Sequence, residues 1–156
     1  MVRDDYYHNF AKQNFNARVG RGGLKGLTGQ TVPRGYKFDS QTGYFTRVDA
    51  TGKIHHVAAT TSSGNKWSRV NMSPGSSKSF EELYITMGHE FIHVKNNFSI
   101  LNVTRTFTEN AAYSWQFDAS VSLNYFNGMQ SATQGLLNNY LSAPKYLTGP
   151  NFPFWW

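Results

Sequence analysis

Apolar residues recur at alternating steps of four and three through SFEELYITMGHEFIHVKNNF, residues 79–98, at Phe80, Tyr84, Met87, Phe91, Val94 and Phe98. That spacing gathers them on one stripe of an α-helix, the face expected to be buried. Ser79 followed three residues later by Glu82 has the form of a capping box, which sets the N-terminus. Upstream the period changes to two. YKF (36–38), YFTRV (44–48) and KIHHVAAT (53–60) are aromatic and β-branched runs, separated by SQTG (40–43) and DATG (49–52), each ending in glycine. Together they predict a three-stranded antiparallel meander. KWSRVNM (66–72), behind the loop TSSGN, predicts a further strand.

Beyond the central helix, residues 99–107 read as an extended connection. A second helix is expected from Thr108 to Phe126, carrying Ala112, Trp115, Ala119 and Leu123 and stopping at Asn127-Gly128. A third is expected over 131–141, broken near Ala143-Pro144. A meander followed by helices is an α+β domain, here a small β-meander with a helical bundle behind it. Residues 1–34 read as a basic, Gly-rich leader: a short aromatic segment (Tyr6, Tyr7, Phe10, Phe15) that could form one helix ending before Gly20, then GRGGLKGLTGQ, too rich in glycine to be regular. The folded domain is expected over 35–156. Its tail, PKYLTGPNFPFWW, is apolar and punctuated by proline, and is expected to pack across the domain body.

Composition narrows the chemistry. The 156 residues suit one domain with a core of its own, and aromatics at 16% suggest that Phe, Tyr and Trp build much of it. With Cys 0 there is neither a disulfide framework nor a thiolate metal site, so any metal must use His, Asp or Glu. No stretch approaches a membrane span, and no secretory signal is evident. The net charge of +6 permits contact with nucleic acid or acidic surfaces. No stacking platform or nucleic-acid fingerprint accompanies the basic residues, so a solvated arm is the preferred reading of their N-terminal cluster.

Within the central helix, His89, Glu90 and His93 form H-E-x-x-H. On a helix this sets two imidazoles one turn apart on one face, able to share a Zn²⁺, with Glu90 beside them as a general base. They lie off the apolar stripe, so the core and the metal site do not compete for one side of the helix. A catalytic zinc usually takes a third protein ligand. No histidine follows His93, and Asn96 and Ser99 stand where an extended all-histidine motif needs Gly and His. The downstream acids are Glu109 and Asp118. Glu109, in the first turn of a helix that can run back beside the first, suits a carboxylate ligand; Asp118 is the fallback. Thr106, three residues before Glu109, also allows a second capping box, which would make Glu109 a cap instead.

This arrangement resembles the gluzincin metallopeptidases: His89-Glu90-x-x-His93 on one helix, then Glu109 in the context Thr108-Glu109-Asn110-Ala111-Ala112, with small Ala112 letting two helices approach. The resemblance covers roughly residues 79–120. Two departures stand out. There is no second lobe, so this would be a minimal zincin-like domain whose meander forms the upper wall of the cleft. Tyr113 stands where an Asp would orient a ligating histidine, which leaves that partner unassigned. Asp118 as ligand would point to the aspzincins instead, but their surrounding sequence is missing.

What the resemblance implies is zinc-assisted peptide hydrolysis. His89, His93 and Glu109 would hold Zn²⁺, and Glu90 would take the water proton and pass it to the leaving amine. Tyr113, one turn after Glu109, would donate to a developing oxyanion or merely pack. His55 and His56 are adjacent in a predicted strand and point to opposite faces, so one of them could face the cleft. An exposed strand, such as 53–59, could pair with an extended peptide substrate. The basic leader and the wording YKFDSQTGYF are also similar in style to C-terminal toxin domains of bacterial Rhs-type polymorphic toxins. That similarity implies export within a longer chain, a protein target, and an immunity or inhibitor protein as partner. The competing class is a non-catalytic domain, either zinc-containing or basic and nucleic-acid-binding.

Overall fold

A computed structural model describes residues 32–64, 67–97 and 104–142, together with the backbone pairing of Leu24–Lys25. The expected N-terminal helix and the C-terminal tail lie outside the described residues, as does Phe98 at the end of the apolar stripe. The architecture is α+β: the described residues form six strands in two small sheets followed by three helices. The strands are β1 (Leu24–Lys25), β2 (Lys37–Phe38), β3 (Phe45–Val48), β4 (Ile54–Val57), β5 (Ala59–Gly64) and β6 (Trp67–Met72). After a 3₁₀ turn at Pro74–Ser77 come α1 (Phe80–Asn97), α2 (Arg105–Ser122) and α3 (Phe126–Ser142). Among the described residues no helix is long and apolar enough to cross a membrane.

The meander forms as β2-β3-β4, with Phe38 opposite Phe45 and Phe45 opposite Val57. Both of its turns are built by an aspartate. Asp39 Oδ1 accepts from the Gln41 amide at 2.9 Å, and Asp49 Oδ1 accepts from the Thr51 and Lys53 amides at 2.9 and 3.0 Å. Gly43 and Gly52 close these turns at φ 77° and 83°, the left-handed region that glycine enters without steric cost.

The expected third strand, 53–60, is two strands. It breaks at Ala58, whose carbonyl accepts from both the amide and the hydroxyl of Ser73 at 2.8 and 2.7 Å. The chain there leaves the meander, and β5 pairs antiparallel with β6 from Ala59↔Met72 to Gly64↔Trp67. Thr61, Ser62, Ser63 and Gly64, expected in a loop, therefore belong to β5, and Leu24–Lys25 of the Gly-rich segment pairs parallel with β6. The pleat alternation explains the second sheet: Ala59, Val70 and Met72 are buried against α1, where Met87 and Phe91 complete the core and Tyr84, Val94 and Trp115 flank it. Phe80 of the predicted stripe is instead exposed.

Two helix boundaries differ from expectation. The N-cap of α2 is Thr104, whose hydroxyl accepts from the Phe107 amide, so Thr106 lies inside the helix and forms no second capping box. Helix α2 ends at Ser122, because Asn124 takes φ 53°, and α3 starts at Phe126. Asn127-Gly128 thus sits in the first turn of α3, where a Cβ on Gly128 would lie 2.7 Å from both Ile85 Cδ1 and Ser120 Oγ. The capping box on α1 is half formed. Ser79 accepts from the Glu82 amide at 3.1 Å, but the Glu82 carboxylate accepts from the Tyr44 hydroxyl at 2.6 Å and so ties the meander to the helix.

Candidate metal centre

Helix α2 packs against both α1 and α3. Its approach to α1 is close because residue 88 is glycine: a Cβ there would overlap the indole of Trp115, which rests on the α1 backbone. The pairings His89 with Gln116 and His93 with Glu109 show α1 and α2 running antiparallel, as one index falls while the other rises. His89 and His93 of α1 therefore meet the first turns of α2 at Glu109.

His89 Nε2 and His93 Nε2 lie 3.3 Å apart, and Glu109 Oε2 lies 3.7 and 3.5 Å from them. Metal–ligand bonds of about 2.1 Å in a tetrahedron set donor atoms about 3.4 Å apart, so these three atoms are spaced as one ion requires. Two nitrogens and one carboxylate oxygen suit zinc by donor type as well. Among the described residues this is the one such group of three that can hold a metal ion. Asp118, the alternative ligand, is exposed and outside it.

The electrostatics fit the geometry. Burial alone would raise the Glu109 carboxyl, but the two imidazoles hold it well below the usual carboxylate range. Burial would lower His93, and Glu109 outweighs this and raises it. His89 has a further partner absent from the sequence reading: its Nδ1 lies 3.1 Å from Gln116 Oε1, while Gln116 Nε2 donates to the Gly128 carbonyl at 3.3 Å. With the amide so oriented, its oxygen faces the imidazole, which must carry its proton on Nδ1 and leave the Nε2 lone pair for a metal. Gln116 lies two turns beyond Glu109, not one, and no spacing rule singles it out.

Glu90 is buried and is not one of the three converging groups; its Oε2 accepts from the Thr61 hydroxyl of β5 at 2.6 Å. The Tyr113 ring packs edge-on against His89, with centroids 4.6 Å apart, and against Gly135 of α3. Burial first, then the charges of Glu109 and Glu90, push its hydroxyl above the ordinary phenol value, so it stays a neutral donor. A cavity of about 810 Å³ opens onto these groups, lined by His89, Glu90, His93, Glu109 and Tyr113 and by the outer strand β5. A second, of about 410 Å³, adjoins it on the Tyr44 side. The adjacent histidines separate as strand geometry requires. His55 pairs with Asp49 at 2.7 Å and serves the turn, while His56 packs edge-on with Tyr44 and lines the second cavity.

Comparison of the chain with protein families, with characterised proteins and with solved structures finds no match. The functional reading therefore rests on the site itself.

Proposed function

We propose that this chain is a zinc-dependent peptide hydrolase with Glu90 as its general base. The observation that carries the proposal is the convergence of His89, His93 and Glu109 on one point beside buried Glu90, all facing one open cavity. A zinc ion held there would polarise the scissile carbonyl and acidify a water molecule.

The chain's own groups do the rest. The Thr61 hydroxyl holds Oε2 of Glu90, leaving Oε1 to take the proton from the attacking water and hand it to the leaving amine as the C–N bond breaks. Tyr113, neutral and within the cavity, donates its hydroxyl to the oxyanion that forms on the former carbonyl oxygen. Gln116 keeps His89 in the tautomer that binds metal. The edge of β5 offers backbone groups to which an extended peptide can pair across the cavity mouth, so the substrate is expected to be a polypeptide.

The test is zinc analysis of the purified protein together with digestion of a mixed protein substrate, with and without chelator. Wild type should hold about one zinc and cleave, chelation should stop cleavage, and Glu90→Gln should keep the metal without turnover. Full activity in Glu90→Gln, or in the chelated protein, would sink the proposal.

A further inference from the structure

The cavity at the metal centre is lopsided in charge. Its acidic lining is Glu90 and Glu109, both part of the centre, whereas Arg47 of β3 and Arg105 of α2 line it as well. Because α1 and α2 are antiparallel, Asn96, one turn beyond His93, and Arg105, one turn before Glu109, lie at the same end of the cleft. That end is about 5 Å along the helices from the metal ligands. Arg105 is partly engaged, with Nε 3.7 Å from Glu109 Oε1. Arg47 is exposed and makes no ion pair among the described residues. Asn96 contributes an amide whose buried Nδ2 has no hydrogen-bond partner. The second cavity differs: Glu82 and aromatic Tyr44 and Tyr125 line it, and among the described residues no Lys or Arg does.

An uncommitted guanidinium, a second one on the same cavity wall and an amide donor without an acceptor make the cleft receptive to an anion with several acceptor positions. A carboxylate meets that need, since guanidinium binds it through paired N–H groups. We infer that the cationic lining of the cleft, Arg47 and Arg105, takes a carboxylate, so that preferred substrates carry an acidic group within a residue or two of the scissile bond. This deepens the hydrolase reading and rests on it for the word substrate. The carboxylate can come from an Asp or Glu side chain or from a chain terminus.

The test uses zinc-loaded protein and three pools of fluorescein-labelled octapeptides, random apart from one fixed central position. One pool has Glu there and an amidated C-terminus, one has Gln and an amidated C-terminus, and one has Gln and a free C-terminal carboxylate. Fluorescence anisotropy measures binding, and mass spectrometry of the same pools measures cleavage. Either the Glu pool or the free-carboxylate pool should bind about tenfold tighter than the amidated Gln pool, as charge-assisted hydrogen bonds allow. The winner tells side chain from terminus. The preference should collapse toward unity in Arg47→Gln and turn against the acidic pool in Arg47→Glu, with zinc content unchanged in both. Equal binding of all pools, no binding of any, or a preference that survives Arg47→Gln overturns the inference. Acid-independent cleavage would sink the subsite and spare the hydrolase; Arg47-dependent binding without cleavage would do the reverse.

Discussion

The hydroxyl of Thr61, on an edge strand, donates to the carboxylate of Glu90, on the central helix, across a separation of 2.6 Å. A buried carboxylate with a free χ3 has two ways to face; this bond selects one. Thr61→Val keeps the shape and removes the donor. It is expected to lower kcat about tenfold, in keeping with a hydrogen bond to a charged group, with KM and zinc content little changed. Thr61→Ser should restore most of the rate. A Thr61→Val protein that turns over at the wild-type rate would show that Glu90 needs no such hold.

The identity of the third ligand is open to a direct measurement. Glu109→Ala should purify with little zinc, because it removes one of three converging donors, and Asp118→Ala should retain the full complement, because Asp118 is exposed and outside the cluster. Equal zinc content in the two variants would refute the assignment.

Gln116 touches His89 and not the metal position. Gln116→Ala is expected to weaken zinc binding roughly ten- to a hundredfold, the usual cost of losing the partner of a ligating histidine. Competition with a chromophoric chelator reads this out. Unaltered affinity would mean that packing alone holds the His89 ring.

Gly88→Ala tests how closely the two ligand-bearing helices must approach. The added methyl overlaps Trp115, so either the indole or α2 must move. Overpacking of this kind costs about 1–3 kcal/mol. Thermal unfolding should show the loss, and because α1 carries two of the candidate ligands and α2 the third, zinc affinity is expected to fall with it. A melting temperature equal to that of the wild type would contradict the close packing.

The zinc-free protein should have a defined pH profile from the Glu109–His93 pair. Glu109 is lowered, so its contribution is present above its ordinary value of 4.5 and is lost as pH falls through the depressed one. His93 is raised, so its contribution is present below its ordinary 6.5 and is lost as pH rises through the elevated one. The pair therefore stabilises the apo protein most between those two values. Zinc needs His93 deprotonated, so its affinity should climb, and proton release on binding should shrink, as pH passes above the elevated value. Urea titrations of apo protein and calorimetry of zinc binding in two buffers check both limbs.

Much of the centre is legible in the chain. His89 and His93 stand four apart on a helix whose apolar stripe is plain, and helical geometry alone brings their rings together. Glu109 follows from the scarcity of other acids downstream. The turns at Asp39 and Asp49 are likewise local, written in five or fewer residues each. The strand break at Ala58 is not, because an unbroken run of β-formers reads as one strand until Ser73, fifteen residues later, takes the Ala58 carbonyl.

What the sequence determined by itself is thus the helix, its two imidazoles and the short set of acids able to join them, since each depends on neighbours within a turn or two. Tertiary structure alone decided which hydroxyl holds Glu90, which amide orients His89, which strand edge borders the cavity and which cationic side chains line it. Those relationships join residues 27 to 29 positions apart, at His89–Gln116 and Thr61–Glu90. They exist because Gly88 lets α2 close on α1 and because the sheet switch at Ala58 swings β5 over the helix, and no periodicity in the chain encodes either distance.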